Sequence, residues 1–206
     1  MIRKLHNMNK LLYLLFLSFY SYFLTAQEIV ITDADLLGDN EYNWTKDNTY
    51  LLDGLVFLER GGVLHIEPGT IIRARQFPTQ DDVSVLIVTP GARINASGTK
   101  EEPIIFTAED DIASDRTDDV RHVDRGLWGG LIIMGEAPVM VGQQNFGSID
   151  GLEHPQRNRY GGTFLEDSSG QLAYVSIRHA GARLTPSDPI SALTLAGVGS
   201  GTSLHH

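Results

Sequence analysis

The sequence contains no cysteine, so no disulfide can stabilise this fold, even in an oxidising compartment. Positive charge is also scarce, because 16 lysines and arginines stand against 26 aspartates and glutamates, a formal net charge of −10. That charge repels phosphate backbones and argues against nucleic-acid binding. After position 26, no segment carries a helical apolar face of ten or more residues. These absences leave a chain built from short strands as the simplest expectation.

The first 26 residues differ in composition from the rest. Residues 11–24 contain no charge, and Ala26 places a small residue before Gln27. The basic residues ahead of this run are Arg3, Lys4 and Lys10. The pattern predicts a secretory signal peptide cleaved after Ala26, which would change the net charge from −10 to −13. A membrane anchor is the alternative, but it needs about 20 apolar residues and this run is shorter. A lipid anchor on an N-terminal cysteine is excluded.

Short apolar runs recur after Gln27, each bounded by Gly, Pro, Asn, Asp or Ser. They cover residues 50–58, 63–66, 70–72, 83–88, 104–107, 131–134, 172–177 and 192–195. Many short strands with regular turn signals predict an all-β chain. A β-sandwich is one architecture that gives such a pattern.

An internal repeat favours another architecture. Residues 56–62 (VFLERGG) and 86–92 (LIVTPGA) share three apolar residues, two turn residues and a glycine, thirty positions apart. A fixed period of 20–50 residues indicates stacked units that bury their apolar faces against one another. The repeat therefore predicts a parallel β-helix with one coil per repeat, although two unrelated turns could also match by chance. Gly61 and Gly91 are expected at corners that need a positive φ or a close backbone approach.

The predicted organisation is a signal peptide (1–26), an N-terminal cap region (27–49) and a β-helix domain (50–206). The cap is expected around residues 29–44, with Trp44 covering the first coil, because repeat arrays need atypical ends. Apolar side chains should stack from coil to coil inside the β-helix. The predicted inward residues are Val56, Leu58, Leu64, Ile66, Leu86, Val88, Ile105, Ile132, Val175, Ile177 and Leu195.

Six segments together resemble a known family. They are LLDGLVFLERGGVLHIEPGTII, LIVTPGARINASGTKEEPIIFTA, RGLWGGLIIMGEAPV, IDGLEHPQRNRYGG, DSSGQLAYVSIRHAG and ALTLAGVGSGTSLHH, of which RGLWGG is the most specific. The sequence resembles secreted bacterial surface proteins with a right-handed parallel β-helix, among them type IX secretion cargo with a C-terminal sorting domain. The resemblance implies a right-handed helix and export, and it supplies no catalytic residues. Since no sorting domain is present and the sequence stops within the last motif, we expect a fragment with further coils downstream.

Residues 109–124 form an acidic segment that suggests a calcium site. Calcium takes six to eight oxygen ligands, which such a segment could supply. The spacing matches no EF-hand loop, and an acidic segment is also often simply solvated. The candidate ligands are Asp110, Asp111, Asp115, Asp118, Asp119 and Asp124, with His122 beside them.

A second polar segment, residues 143–170, carries four acidic residues: Asp150, Glu153, Glu166 and Asp167. A glycosidase needs two carboxylates roughly 5–10 Å apart. Carboxylates at turns also commonly accept backbone hydrogen bonds, which is the alternative interpretation.

Arg178 and His179 follow the apolar run 172–177 and could act on an acidic polysaccharide, by analogy with lyases built on β-helices. Strand alternation places Arg178 on the outward face with Ser176, where a surface arginine is ordinary.

Four aromatic residues could stack on sugars: Trp44, Trp128, Tyr160 and Phe164. Trp128 lies between glycines and is expected to fill a corner of the core. The sequence contains no nucleotide-binding, serine-nucleophile or zinc pattern. No catalytic, cofactor or metal residue is therefore assigned.

The expected function is that of an exported, non-enzymatic β-helix at the cell surface or outside the cell, for adhesion or glycan binding. Its expected partners are polysaccharides or cell-surface components, with no nucleic acid and no membrane span after cleavage. The alternatives are a polysaccharide lyase or glycoside hydrolase on the same scaffold, and a structural spacer.

Overall fold

The computed structural model describes residues 27–79, 81–111 and 124–206. The predicted signal peptide lies outside these ranges. In the described part of the chain, no helix is long and apolar enough to cross a membrane. The only helical element described there is a 3₁₀ turn, Asp33–Asp35.

Five coils follow one another along the chain. Coil 1 contains β1 (Gln27–Ile31), the 3₁₀ turn and β2 (Glu41–Trp44); coil 2 contains β3 (Asn48–Leu52), β4 (Leu55–Leu58) and β5 (Val63–Ile66). Coil 3 contains β6 (Ile71–Ala74), β7 (Val85–Val88) and β8 (Arg93–Ser97). Coil 4 contains β9 (Ile104–Ala108), β10 (Gly130–Met134), the inserted hairpin β11 (Phe146–Ser148) and β12 (Arg159–Gly161), and β13 (Gly170–Ala173). Coil 5 contains β14 (Val175–Ile177), the inserted hairpin β15 (Arg183–Thr185) and β16 (Asp188–Pro189), β17 (Leu193–Ala196) and β18 (Ser203–His205).

The coil strands stack into three parallel sheets, which makes the fold a right-handed parallel β-helix as predicted. Sheet 1 has the order β1-β3-β6-β9-β14, sheet 2 β4-β7-β10-β17 and sheet 3 β2-β5-β8-β13-β18. In sheet 2, Val56 pairs with Leu86 and Leu58 with Val88, which is the thirty-residue repeat read from the sequence. The repeat is therefore one coil.

The corners after sheet 2 confirm the expectation for two glycines. Gly61 and Gly91 have φ values of 86° and 82°, in the left-handed region that glycine adopts without strain. They lie in successive coils, and the Gly61 amide donates to the Gly91 carbonyl at 3.0 Å.

Two predicted strands are each two strands with a corner between them. The run 50–58 divides into β3 and β4 at Gly54, with φ of 95°. The run 172–177 divides into β13 and β14 at Tyr174, whose φ is 49°. Asp53 and Gly54 are turn residues that mark the first corner in the sequence, whereas Ala173, Tyr174 and Val175 continue through the second without a turn signal.

The interior of the coils is a continuous apolar column, and most predicted inward residues belong to it. Buried there are Val56, Leu58, Leu64, Ile66, Leu86 and Val88, with Val175 and Ile177 packed against them. The assignment of Ile105 is wrong, because its neighbours Ile104 and Phe106 point inward. Leu195 pairs with the inward-facing Ile133 but is 41% exposed, since no described strand covers the other side of β17.

A second apolar cluster lies on the outer face of sheet 2. It contains Phe57, Ile87, Ile132, Met134 and Leu184 among others. The inward assignment of Ile132 is therefore wrong, because Leu131 and Ile133 face the interior instead. Sheet 2 is apolar on both faces because the insertions 135–169 and 178–192 cover its outside.

The β4 edge of sheet 2 is closed by hydrogen-bond acceptors rather than by another strand. On β4, the Leu55 amide donates to Asp81 Oδ2 at 2.9 Å and the Phe57 amide to Asp33 Oδ1 at 3.4 Å. The Glu59 amide donates to the Leu36 carbonyl at 3.3 Å. An edge strand with unpaired backbone groups is a template for aggregation, and these three hydrogen bonds occupy amides along this edge.

In sheet 3, Trp44 is buried and stacks on Tyr50 with ring centroids 4.7 Å apart.

Candidate functional site: a groove between two insertions

One arginine fixes the first insertion to the coils. Arg157 binds Asp33 with both arms at 2.9 Å and donates to Glu59 Oε1 at 3.0 Å. Its guanidinium carbon lies 3.8 Å from the ring centroid of Phe57, a residue of β4. Burial alone would lower the pKa of Arg157, but its hydrogen bonds to Asp33 and Glu59 raise it above the ordinary value. The insertion is thus held by a charged group that stays ionised.

A groove runs between the two insertions, above the second apolar cluster. One part, of about 810 Å³, is lined by Asp150, Glu153 and Asn158 of the first insertion and Ser187 and Asp188 of the second. The other part, of about 550 Å³, extends to Asp81 and Asp82. Both parts are lined by Gly151, Glu153, Thr185 and Pro186, so they form one continuous depression, the acidic groove.

The walls of the acidic groove are held from within. Leu152 and Leu184 are buried beneath it in the second apolar cluster. Asn158 Nδ2 donates to the Leu152 carbonyl at 2.9 Å, and Arg183 Nη1 donates to the Pro186 carbonyl at 2.7 Å. Both sides of the groove therefore have defined shapes.

The groove carboxylates divide into two sets. Asp81 accepts the Leu55 amide, and Asp188 accepts hydrogen bonds from Thr185 and Ser187. Asp82, Asp150 and Glu153 form no hydrogen bond or ion pair with any described residue. A carboxylate without a protein partner retains its full capacity to accept hydrogen bonds from a ligand.

The four acidic candidates of residues 143–170 do not come together. Asp150 and Glu153 both line the acidic groove, whereas Glu166 is exposed elsewhere. Asp167 is buried and accepts a hydrogen bond from Ser169 Oγ at 3.2 Å, which makes it a structural residue. Its carboxylate thus accepts from a side-chain hydroxyl, whereas the alternative interpretation expected a backbone amide as donor.

The acidic segment 109–124 is described only at its two ends. Asp110 is exposed, and Asp111 is buried with its carboxylate bound to the Thr107 hydroxyl. The backbone carbonyl oxygen of Asp124 lies at hydrogen-bond distance, 2.8 Å, from His179 Nδ1. Asp115, Asp118, Asp119 and His122 lie outside the described residues. Among the residues that are described, no three His, Asp or Glu side chains are grouped to hold a metal ion, and calcium at this segment stays a prediction.

Arg178 lies on the outward face, as alternation predicted. Its Nε donates to Ser176 Oγ at 3.2 Å, and its Nη1 lies 3.8 Å from Asp111 Oδ2. His179 occupies a corner with φ of 57°. Neither residue lines the groove.

Three of the four aromatic candidates pack in the protein. Trp128 is buried in the interior and donates from Nε1 to the Arg178 carbonyl at 2.7 Å, so it fills a core corner as predicted. Trp44 is also buried, and Tyr160 packs against the second apolar cluster. Phe164 alone is largely exposed, at 58%.

Asp81, Asp82 and Asp188 are groove residues that the sequence did not single out. They come from two segments separated by about a hundred positions, and each looks like an ordinary turn residue. The thirty-residue repeat was the available signal, because it places the loop 75–84 beside β4 and hence beside the outer face of sheet 2.

The fold and the groove together define the class of protein: a right-handed parallel β-helix with a polar groove built on the outside of one sheet by inserted loops. The family model described as "Pectate-lyase like beta helix domain" matches residues 37–206, so the chain belongs to this family. The match includes the coils from β2 onward and both insertions. Neither the comparison with curated proteins nor that with solved structures gives a match.

Proposed function

We propose that this protein is a non-enzymatic glycan-binding protein that holds a neutral or sparsely charged glycan in the acidic groove. The observation that carries the proposal is the group of unpartnered oxygen acceptors, Asp82, Asp150 and Glu153, along one depression. Sugar hydroxyls can donate hydrogen bonds to these carboxylates, and Asn158 and Ser187 add neutral polar groups to the lining. Ligand sites combine a shaped depression with a few polar groups of this kind.

The charge of the groove sets its preference. The five carboxylates of its lining are Asp81, Asp82, Asp150, Glu153 and Asp188. Like charges at close range repel, so a polyuronate would bind poorly where a neutral glycan binds well. The groove chemistry therefore supports a ligand class different from pectate.

Export completes the proposal. The composition of residues 1–26 supports secretion, and the resemblance to secreted surface proteins supports a location outside the cell. A rigid β-helix there would present the groove for adhesion to polysaccharide or cell-surface components.

Binding is tested by titrating the purified protein with neutral oligosaccharides and, separately, with polygalacturonate and alginate oligomers. We expect binding of a neutral glycan that weakens about tenfold or more in the double variant Asp150→Ala, Glu153→Ala, since hydrogen bonds to charged groups contribute about 1.5–3 kcal/mol each. Glu166→Ala is the matched control, because it removes an exposed carboxylate outside the groove. Absence of binding to every glycan would favour the structural spacer.

The enzyme alternative rests on Asp150 and Glu153 lining one groove, the kind of pairing a glycoside hydrolase uses. Product release is measured on the same glycans by reducing-end assay and by absorbance of unsaturated sugars. The non-enzymatic proposal predicts binding without turnover. Products that disappear in the double variant but persist in Glu166→Ala would establish the enzyme instead.

A further inference from the structure

A second depression lies on the other side of the segment 157–159 from the acidic groove. Asn158 lines the groove, whereas Arg157 and Arg159 line this smaller pocket of about 250 Å³. We name it the arginine pocket. Its charged lining consists of Arg60, Arg157, Arg159, Glu59 and Glu136, an excess of one positive charge on a chain whose net charge is −10.

The three arginines of the pocket differ in how many of their guanidinium donors are already paired with carboxylates of the protein. Arg157 is committed to Asp33 and Glu59. Arg60 pairs with Glu136, and its side chain is 65% exposed. To reach Glu136 in coil 4 from coil 2, it passes over Gly91 of coil 3, where a Cβ would lie 2.8 Å from Nη1. Arg60 therefore keeps donors free beyond the single arm that binds Glu136.

Arg159 is the available cation. Its guanidinium carbon lies 3.5 Å from the ring centroid of Phe146, on the partner strand of the inserted hairpin. No described residue forms a hydrogen bond or an ion pair with the Arg159 guanidinium. Stacking uses only the face of the guanidinium, so its in-plane N–H groups remain free, in the fork geometry that matches a carboxylate or sulfate. Phe146 thus orients a donor set that the protein itself does not use.

We propose that the arginine pocket binds a compact oxyanion, the sulfate or carboxylate substituent of a glycan, with Arg159 as the main donor and Arg60 as the second. A pocket of about 250 Å³ admits a substituent rather than a chain. The inference goes beyond the proposed function and depends on it only for the origin of the anion. A sparsely substituted glycan would place its neutral chain in the acidic groove and one acidic group in the pocket.

The test uses inorganic sulfate as the first probe. Sulfate replaces chloride at constant ionic strength, and backbone amide shifts of the full chain are followed by NMR. We expect saturable shifts at Arg159 and Gly161, which both line the pocket. Arg159→Gln should weaken the sulfate affinity about tenfold or more, whereas Arg125→Gln, the same charge change at an exposed arginine outside the pocket, should leave it unchanged. Phe146→Leu keeps every charge and should weaken the affinity by releasing the guanidinium.

Two outcomes overturn the proposal: no saturable shift in the wild-type protein, or equal weakening by Arg159→Gln and Arg125→Gln. The wild-type titration and Phe146→Leu keep the test valid even if Arg159→Gln folds poorly. Sulfated and carboxylated oligosaccharides of one backbone then identify the preferred substituent. Sulfate binding without any glycan binding supports the pocket and contradicts the proposed function, while glycan binding without sulfate binding does the reverse.

Discussion

Gly170 shows how closely neighbouring coils approach at the start of β13. Its φ is 110°, and it pairs with Ile94 of the preceding coil in sheet 3. A Cβ at this position would lie 2.7 Å from the Ile94 carbonyl carbon and 2.8 Å from its amide nitrogen. These are backbone atoms within a parallel ladder, so neither can move aside without breaking hydrogen bonds.

Gly170→Ala is therefore expected to destabilise the protein by about 3 kcal/mol or more, through both backbone strain and displacement of coil 4 from coil 3. Gly142→Ala is the matched control, since Gly142 also has a positive φ, 62°, but no atom within 4 Å of its Cβ position. The control should cost only about 1 kcal/mol for the left-handed conformation. Chemical denaturation measures both; equal losses would show that close approach at Gly170 is unimportant.

At the scale of elements, the hairpin of β11 and β12 depends on Arg157. Both arms of this arginine bind Asp33 of coil 1, and Glu59 follows β4 in coil 2. A single side chain from the first insertion thus joins two coils. The same Asp33 carboxylate accepts a hydrogen bond from the Phe57 amide at the β4 edge of sheet 2. One carboxylate therefore both closes this edge and holds the insertion.

Arg157→Gln should release the first insertion while the coils remain folded. Breaking a partly buried ion pair leaves Asp33 and Glu59 uncompensated, and we expect a loss of about 1–3 kcal/mol. Hydrogen exchange should accelerate at the amides of β11 and β12 and stay slow in β7. Arg125→Gln provides the control, because it removes an exposed arginine outside the hairpin, without a described ion pair, and should change stability by less than about 0.5 kcal/mol. Uniform acceleration through all three sheets would contradict a local role for Arg157.

At the scale of the whole molecule, export is the feature that the proposed function needs most. Residues 1–26 lie outside the described structure, and cleavage after Ala26 remains a prediction from composition. Intact-mass spectrometry of protein from the medium or the cell surface should give an N-terminus at Gln27, free or cyclised to pyroglutamate. Ala26→Arg should block processing, because the cleavage site requires a small residue. Mature wild-type protein that retains residues 11–24 would show a membrane anchor.

Much of the fold could be predicted from the sequence because a β-helix repeats its local chemistry. The VFLERGG and LIVTPGA segments pair in register, and the corner glycines Gly61 and Gly91 have the positive φ expected of them. Each coil buries its apolar residues against its neighbouring coils only, so a repeat in the sequence is directly a repeat in space. Errors arose where this local pattern is ambiguous: Ile105 and Ile132 lie in uninterrupted apolar runs, where alternation cannot distinguish the two faces of a strand.

The candidate site was only partly predictable. Asp150 and Glu153 attracted attention as carboxylates in a long polar segment, and both line the groove. Asp167, from the same segment, is buried as a structural acceptor, and nothing in its sequence context distinguishes it from them.

By itself, then, the sequence determined the all-β character, the coil repeat and the parallel β-helix fold, because each depends on contacts between neighbouring segments of one periodic pattern. Only the tertiary structure decided the groove and the arginine pocket. Asp150 and Asp188 line one groove because two insertions of unrelated sequence fold over the outer face of sheet 2, where the loop 75–84 adds Asp82 and Arg157 fixes the first insertion. The docking of an insertion depends on long-range contacts such as Arg157 with Asp33, 124 positions apart, and no period in the sequence encodes them.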